Sequence, residues 1–324
     1  MKLNNIELTF EDFAREMAKL KNEKHFDYLV TIIGEDFGEE GLGCIYILEN
    51  TENNERCSVR TIAKKVDGSD VIPTVINLWK SADLLEREVF DFVGIKFLGH
   101  PDMRRLFLRT DFKGHPLRKD FDMSPEANKF PLTDEPESDY TVEYNLDADG
   151  HLTETKHRLF TDDDYVVNIG PNHPSTHGVL RLQTVINGET VKRIYPHLGY
   201  IHRGIEKMWE GMTYPQTLAL TDRLNYLSAM MHRHALVGVI EEAMGIELSG
   251  RIRYIRTIMD ELQRIDSHLL FLGCTAQDLG ALTAFLYCMR DREHVLNVME
   301  ETTGGRLIMN YYRIGGLQAD IDPN

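Results

Sequence analysis

Residues 165–182 read YVVNIGPNHPSTHGVLRL, and this stretch decides how the second half of the chain folds. It carries two histidines, His173 and His177, four residues apart. Pro174 disfavours the helical conformation at His173, and Gly178 follows the second histidine as a turn former. The stretch therefore predicts a strand, a proline-rich turn and a second strand, with both histidines in the turn.

The residues alone leave two interpretations of the histidine pair. They are either ordinary polar residues of a loop or ligands of a zinc ion, as in helical H-x-x-x-H sites, where both rings share one helix face. Pro174 and the lack of a third ligand nearby in the sequence argue against the zinc site. On the residues alone, the loop interpretation is favoured.

The segment after this stretch predicts a β-hairpin followed by helices. Residues 179–186 alternate between apolar and polar, Asn187-Gly188 is a strong two-residue turn, and residues 189–195 run back. Thr176-His177-Gly178 would lie at the base of this hairpin, a rigid place for a ligand contact. An apolar stripe at helical spacing predicts a first helix through Ile201, Ile205, Met208, Trp209 and Met212. Longer helices are predicted at about 215–244, 253–272 and 281–303, each before a glycine. The second of them has the predicted buried face Ile255, Ile258, Met259, Leu262, Ile265 and Leu269.

The first 121 residues predict a small α+β sheet domain. A capping pattern at Thr9 begins one helix, and a second helix runs from Ser81 to Gly94. Its predicted inward residues are Ala82, Leu85, Val89 and Phe92. β-rich runs cover residues 28–33, 44–48, 57–63 and 71–78. Pro73 would place the last run at a sheet edge. Residues 122–164 are acidic and contain three prolines, which predicts a connector with little core of its own.

Charge and composition exclude several classes of protein. Lys and Arg number 36 against 52 Asp and Glu, a net charge of −16, which disfavours nucleic acid and anionic lipid as direct partners. No apolar run approaches the ~20 residues of a membrane span, and the N-terminus lacks the apolar core of a signal peptide. We therefore expect a soluble, intracellular protein.

The cysteine spacing bears on whether this chain alone binds a metal ion or an iron–sulfur cluster. Cys44, Cys57, Cys274 and Cys288 form no C-x-x-C pair. Neither a zinc ribbon nor an iron–sulfur cluster bound by this chain alone is predicted. Any electrons must therefore come from a centre in another subunit.

Two parts of the chain resemble subunits of respiratory NADH-quinone oxidoreductase, complex I. Residues 79–97 (WKSADLLEREVFDFVGIKF), with GHPDMRRLF and GHPLRKDF after them, resemble the C subunit. Residues 165–182 resemble the N-terminal signature of the D subunit, which carries the quinone site. The C-like part implies assembly rather than chemistry. Its charged residues Glu86, Arg87, Glu88 and Asp91 are either a solvated helix face or an assembly interface.

The order of the two parts resembles the fused C/D form of the family. The predicted domains are residues 1–121, C-like; residues 122–164, linker; and residues 165–324, D-like. The predicted fold class is α+β, with a small sheet domain followed by a β-hairpin-plus-helical-bundle domain that resembles the large subunit of nickel–iron hydrogenases. Family D subunits continue well beyond the segment at residues 313–317, so we expect an incomplete D domain and no activity from the chain on its own.

Three further motifs carry site residues by resemblance. TDRLNYLS (residues 221–228) places Tyr226 where the family has its quinone-binding tyrosine, and FLGCTAQDLGAL (residues 271–282) places Asp278 where it has the carboxylate paired with the loop histidine. HRGIEK places Arg203 where the family has an arginine beside the terminal iron–sulfur cluster, which a partner subunit binds. Taken alone, Tyr226 would be interpreted as a residue of an amphipathic helix, Asp278 as a helix cap and Arg203 as a surface base.

Quinone reduction delivers two electrons and two protons to one headgroup, so two proton-donating groups must face its carbonyl oxygens. Tyr226 and His177 suit that task, and Asp278 would orient the imidazole. The quinone loop would be formed by Pro174, Thr176 and Gly178.

Two departures from the family pattern have consequences. Asn225 and Ser228 stand where the related hydrogenases have metal-binding cysteines, so the hydrogenase function is excluded. Ile308 stands where many family members have a histidine near the cluster. The cluster's potential should then depend less on pH, and menaquinone is the predicted quinone.

The leading hypothesis is a peripheral-arm subunit of complex I that forms the quinone-reduction site on the cytoplasmic side of the bacterial inner membrane. It would contact the subunit with the terminal cluster and the membrane-arm subunits, while NAD binds elsewhere in the complex. A non-catalytic assembly scaffold is a second hypothesis. A related quinone-reducing complex with a donor other than NADH is a third.

Overall fold

The computed structural model describes residues 4–124, 139–173, 176 and 178–321. The chain is α+β, as predicted, and it divides into two compact units, residues 1–204 and 205–324. This division differs from the predicted boundary at residue 165, because the strands that follow that residue belong to the first unit.

The first unit contains two α-helices, a short 3₁₀ helix (Gly38–Glu40) and three sheets within its described residues. The α-helices are α1 (Phe10–Asn22) and α2 (Ala82–Val93). The first sheet has the order β1-β4-β3-β2, with β1 (Asn4–Leu8), β2 (Tyr28–Asp36), β3 (Leu42–Asn50) and β4 (Glu55–Ile62). The second has the order β5-β6-β7-β8-β9, with β5 (Lys64–Val66), β6 (Ser69–Pro73), β7 (Lys96–Leu98), β8 (Tyr140–Leu146) and β9 (Leu152–Arg158). The third has the order β10-β11-β12, with β10 (Tyr165–Ile169), β11 (Arg181–Asn187) and β12 (Thr190–His197).

Both N-terminal helices form where the sequence predicts them. The Thr9 side chain caps α1 by accepting the backbone N–H of Asp12 at 3.3 Å. Gly94 ends α2 in the left-handed conformation, with φ +86°. Ser81 occupies the N-cap position of α2 but makes no side-chain capping bond. Val89 is buried on the inward face of α2, as predicted.

Two N-terminal predictions are wrong. β6, which ends at Pro73, lies inside its sheet between β5 and β7. The proline is tolerated because β5 pairs only as far as Val71, two residues before it. The predicted linker contains β8 and β9, which pair as an antiparallel hairpin, and Tyr144 of β8 joins the buried core. Residues 125–138 of that linker lie outside the described part.

The strands on either side of the histidine turn form as predicted, with one shift in the hairpin that follows. β10 and β11 pair antiparallel. β11 and β12 form the predicted hairpin, but Asn187 pairs with Thr190, so the two-residue loop is Gly188-Glu189. Gly188 has φ +60°, which glycine adopts without strain.

The second unit is helical. Its elements are α3 (Ile205–Glu210), α4 (Tyr214–Thr221), α5 (Ala229–Met244), α6 (Gly250–Asp278), α7 (Leu282–Thr303), and a short hairpin of β13 (Tyr312–Arg313) and β14 (Gly316–Leu317). Its core residues are Leu218, Met230, Val237, Ile255, Met259, Met299, Met309, Tyr311 and Tyr312.

Three helical predictions need correction. The helix predicted at 215–244 is two helices, α4 and α5, separated at residues 222–228. α6 continues through Gly273 to Asp278, so this glycine does not end the helix. It lets α7 approach closely instead: a Cβ there would lie 3.2 Å from that of Cys288. The first stripe is helical only from Ile205, since Gly204 adopts φ +64° before it.

The buried face of α6 is also not the apolar stripe that was predicted. Ile255 and Met259 are buried, but Ile258 and Ile265 are about half exposed. Polar residues take their place, because Arg256, Gln263 and Asp266 are each 1% exposed.

Candidate functional site

The histidine turn is closed at its base by backbone contacts. Gly170 has φ +90°, and a Cβ there would lie 1.9 Å from the carbonyl oxygen of Leu180, so only glycine fits. The Thr176 hydroxyl lies 2.8 Å from the carbonyl oxygen of His173 and 2.9 Å from that of Gly178. It can donate its single hydrogen to one of them at a time. Thr176 therefore ties the two sides of the turn together.

Pro174 and His177 lie outside the described residues. Their roles rest on the sequence.

The segment that carries Arg203 packs on the N-terminal sheet domain. The ring of His202 stacks on Phe92, with centroids 5.1 Å apart, and Phe107 stacks on the same phenylalanine at 5.5 Å. Gly199 has φ +90°, and a Cβ there would lie 2.0 Å from the carbonyl oxygen of Phe107. Arg203 itself is exposed. The C-like part of the chain thus holds the backbone beside this arginine.

Asp91 organises the loop on which that segment rests. Its carboxylate accepts the backbone N–H groups of Leu106, Phe107 and Leu108 at 2.7–3.0 Å. It also pairs with Arg105 at 2.8 Å, and its side chain is fully buried. A buried carboxylate is stable in such a place only when donors surround it, as they do here.

The solvated-face interpretation of α2 is therefore wrong for three of its four charged residues. Glu86 and Asp91 are 0% exposed and Arg87 is 6% exposed. Arg87 donates to the carbonyl oxygens of Arg104 and Arg105 at 3.1 Å, so its guanidinium group is bonded to the backbone of its own domain. Any assembly role of these three side chains would be indirect. Glu88 has intermediate exposure, and its interface role remains a prediction.

Glu86 is the most perturbed of these groups. Burial raises the pKa of its carboxyl to about 7, although two donors oppose the shift. The donors are the Thr74 hydroxyl at 2.6 Å and the Val75 backbone N–H at 2.8 Å. The sequence did not predict that this carboxyl would be about half protonated at neutral pH, because hydrophobic periodicity does not show which charged residues are buried.

Tyr226 lies in the break between α4 and α5, not on a helix. Its side chain is 52% exposed, and within the described residues its hydroxyl makes no hydrogen bond. Asp278 is the last residue of α6 and is exposed. Both side chains are thus accessible to a ligand. Tyr226 and Asp278 belong to the second unit and Arg203, Thr176 and Gly178 to the first, so the convergence of these residues with His177 remains a prediction.

Sequence reasoning missed two buried ion pairs of the helical unit. Asp222 pairs with Arg233 at 2.8 Å, and Glu241 pairs with Arg256 at 2.7 Å. In each pair both side chains are at most 6% exposed. The sequence gives no sign of the Asp222–Arg233 pair. Asp222 directly precedes Arg223 in the tyrosine motif and lies within the helix predicted at 215–244.

The described residues contain no group of three His, Cys, Asp or Glu side chains placed to hold a metal ion. Cys44 and Cys57 are buried on the N-terminal sheet, and burial raises the pKa of the Cys57 thiol to about 11. Cys274 and Cys288 lie on α6 and α7. No helix in the described ranges is long and apolar enough to cross a membrane.

Two segments of the chain match known families. Residues 6–127 match the 30 kDa subunit of respiratory-chain NADH dehydrogenase, and residues 278–324 match its 49 kDa subunit. The first match contains the Asp91 loop, and the second begins at Asp278.

Individual relatives match nearly the whole chain. The C/D subunit of NADH-quinone oxidoreductase from Phocaeicola vulgatus is 54% identical over 319 residues, which is 98% of this chain and 61% of the relative. The C/D subunit from Bacteroides fragilis is 55% identical, over 95% of this chain and 60% of the relative. The second of two C/D subunits from Aquifex aeolicus is 40% identical, over 96% and 55%. The chain thus spans about 60% of the length of the first of these relatives. The chain belongs to the family of fused C/D subunits of NADH-quinone oxidoreductase.

Proposed function

We propose that this chain is a peripheral-arm subunit of a proton-pumping NADH-quinone oxidoreductase and forms its quinone-reduction site. The observation that carries the proposal is the 54% identity to a C/D subunit over 98% of the chain, with the tyrosine motif in an exposed break between helices. The chain would lie on the cytoplasmic side of the bacterial inner membrane, as a peripheral part of the complex. The helical unit would have the fold of the nickel–iron hydrogenase large subunit.

The proposed chemistry uses three side chains. Tyr226 and His177 hydrogen-bond the two carbonyl oxygens of the quinone and donate the two protons of reduction. Asp278 orients the imidazole of His177 and tunes its basicity. The accessible phenol of Tyr226 supports its role, since a hydroxyl already engaged within the fold would have to break that bond to meet a ligand.

Electrons enter from a partner subunit in this proposal. The four cysteines are dispersed over two sheet strands and two helices, so this chain offers no thiolate set for a cluster. Arg203 is proposed to lie beside the partner's terminal iron–sulfur cluster, and NAD is bound elsewhere in the complex.

The test is quinone reduction by the purified complex with His177→Ala, Tyr226→Phe or Asp278→Asn. We expect each variant to assemble and to lose activity by about 10²–10⁴-fold, the usual size of an acid–base contribution. Glu301→Gln, an exposed carboxylate near the end of α7, is a matched control and should retain full activity. Unchanged rates in all three site variants would leave only the scaffold hypothesis.

The quinone species is a finer proposal. Ile308 is 39% exposed and cannot titrate, so it supplies no proton-linked charge beside the cluster. We therefore expect the cluster's potential to change little with pH, which suits a lower-potential acceptor such as menaquinone. A redox titration of the assembled complex at pH 6 and pH 8 checks this. A steep dependence on pH contradicts it.

A further inference from the structure

Residues 222–228, between α4 and α5, form the loop that carries Tyr226, here called the Tyr226 loop. Buried hydrogen bonds of Asp222 fix the beginning of this loop to the helical unit. Asp222 follows the last residue of α4, and one of its carboxylate oxygens accepts the Arg233 guanidinium N–H at 2.8 Å. The other accepts the backbone N–H of Asn310 at 2.7 Å. Arg233 also donates to the carbonyl oxygens of Leu218 and Tyr312. Both partners of the pair are at most 2% exposed, so this end of the loop cannot shift without breaking several buried bonds.

A second anchor holds the end of the loop. The side-chain amide of Gln263 donates to the carbonyl oxygen of Leu227, the residue after Tyr226, at 3.2 Å. The same amide nitrogen lies 3.2 Å from the carboxylate of Asp266, which pairs with Arg292. Gln263 is 1% exposed, so a polar side chain outside the predicted apolar stripe is buried on α6. Its hydrogen bond to Leu227 explains why a glutamine, rather than an apolar residue, is buried at this position.

We propose that Arg233 and Gln263 are positioning residues that hold the Tyr226 phenol for hydrogen bonding to the quinone. The inference rests on the proposed function of Tyr226. Neither residue touches the substrate in this account. They act because Tyr226 lies between two fixed points, Asp222 and Leu227, and has no hydrogen bond of its own within the described residues. A loop held at both ends loses less freedom on binding a ligand than a loose one.

The helical unit offers a matched control for this proposal. Arg256 and Glu241 form an equally buried pair between the two helices α5 and α6. Arg256 donates to the carbonyl oxygens of Arg313 and Gly316, in the β13–β14 hairpin, rather than to the Tyr226 loop. Weakening either pair should destabilise the unit, but of the two pairs only Asp222–Arg233 holds the Tyr226 loop.

The experiment measures kcat and KM of the assembled complex with a decyl-tailed quinone analogue for Arg233→Lys, Gln263→Met and Arg256→Lys. We expect KM to rise about fivefold in the first two, equivalent to about 1 kcal/mol of binding. KM should stay unchanged in Arg256→Lys. Gln263→Met removes the donor at nearly constant volume, so it carries the test if the arginine variant fails to assemble.

The decisive comparison repeats the substitutions in a Tyr226→Phe background. If Arg233 and Gln263 act through the phenol, their effect on KM disappears there, since coupled residues are not additive. An equal KM rise in both backgrounds, or the same rise in Arg256→Lys, overturns the inference. If Tyr226→Phe alone leaves kcat and KM unchanged, the proposed function of Tyr226 fails instead.

Discussion

Burial gives Glu86 a charge that depends on pH near neutrality. Its pKa rises from 4.5 to about 7 in the folded chain. Between these values the folded carboxyl keeps a proton that the unfolded chain has lost, so stability falls as pH rises through this window. The His100 and Asp83 side chains lie near enough to influence it, while Thr74 and the Val75 N–H bond it directly.

We expect Glu86→Gln to flatten the stability of the chain between pH 4.5 and 7. Wild type should lose roughly 3 kcal/mol of unfolding free energy across that window through this group. The amide does not titrate, so the variant should lose less. Urea unfolding at pH 5 and pH 7.5 measures the difference. Glu52→Gln, an exposed carboxylate in the turn between β3 and β4, should leave the wild-type pH profile in place. Parallel profiles for wild type and Glu86→Gln would contradict the assignment.

The family resemblance predicted which side chains would form the site, and their types suit its chemistry, but nothing in the sequence predicted what holds them in place. Tyr226 and Asp278 are accessible, as a ligand role requires. Asp91, by contrast, was interpreted as either a solvated helix-face charge or an interface charge, and Arg233 was not singled out in the sequence. They are buried because each finds several partners distant in sequence, and such pairing has no local signature.

At the scale of elements, periodicity predicted the helices and strands whose ends carry local signals. Thr9 and Gly94 are examples, because a cap is recognisable from the residues themselves. The break at residues 222–228 was missed, since no glycine or proline marks it. Its cause is tertiary: the bonds of Asp222 to Arg233 and to the Asn310 N–H stabilise a turn that helix propensity alone would not.

Gly273 explains why α6 and α7 pack closely, and it supports a stability prediction. A Cβ there would lie 3.2–3.3 Å from atoms of Cys288, Met289 and Phe285. We expect Gly273→Leu to destabilise the chain by about 1–3 kcal/mol through overpacking. Gly238 of α5 has no atom within 4 Å of such a Cβ, so Gly238→Ala should stabilise by about 0.5–1 kcal/mol.

Thermal or urea unfolding of both glycine variants measures these effects. Because the two positions are helical glycines, helix propensity alone would raise stability at both. A stable Gly273→Leu protein would show that the two helices do not meet at this glycine.

In the molecule as a whole, the C-like part of the chain supports the segment that carries Arg203. Asp91 fixes Phe107, Phe107 and Phe92 lie against His202, and Arg203 follows directly in the chain. The sequence predicted two modules joined by a linker. The structure instead places the strands after residue 165 in one compact unit with the C-like part, a grouping set by contacts that sequence spacing does not encode.

We propose that Tyr226 binds the quinone headgroup in the assembled complex. A structure of the complex with bound quinone tests it most directly. We predict the Tyr226 hydroxyl at about 3 Å from one carbonyl oxygen of the headgroup, with His177 at the other. A headgroup bound at full occupancy away from both side chains would contradict the account.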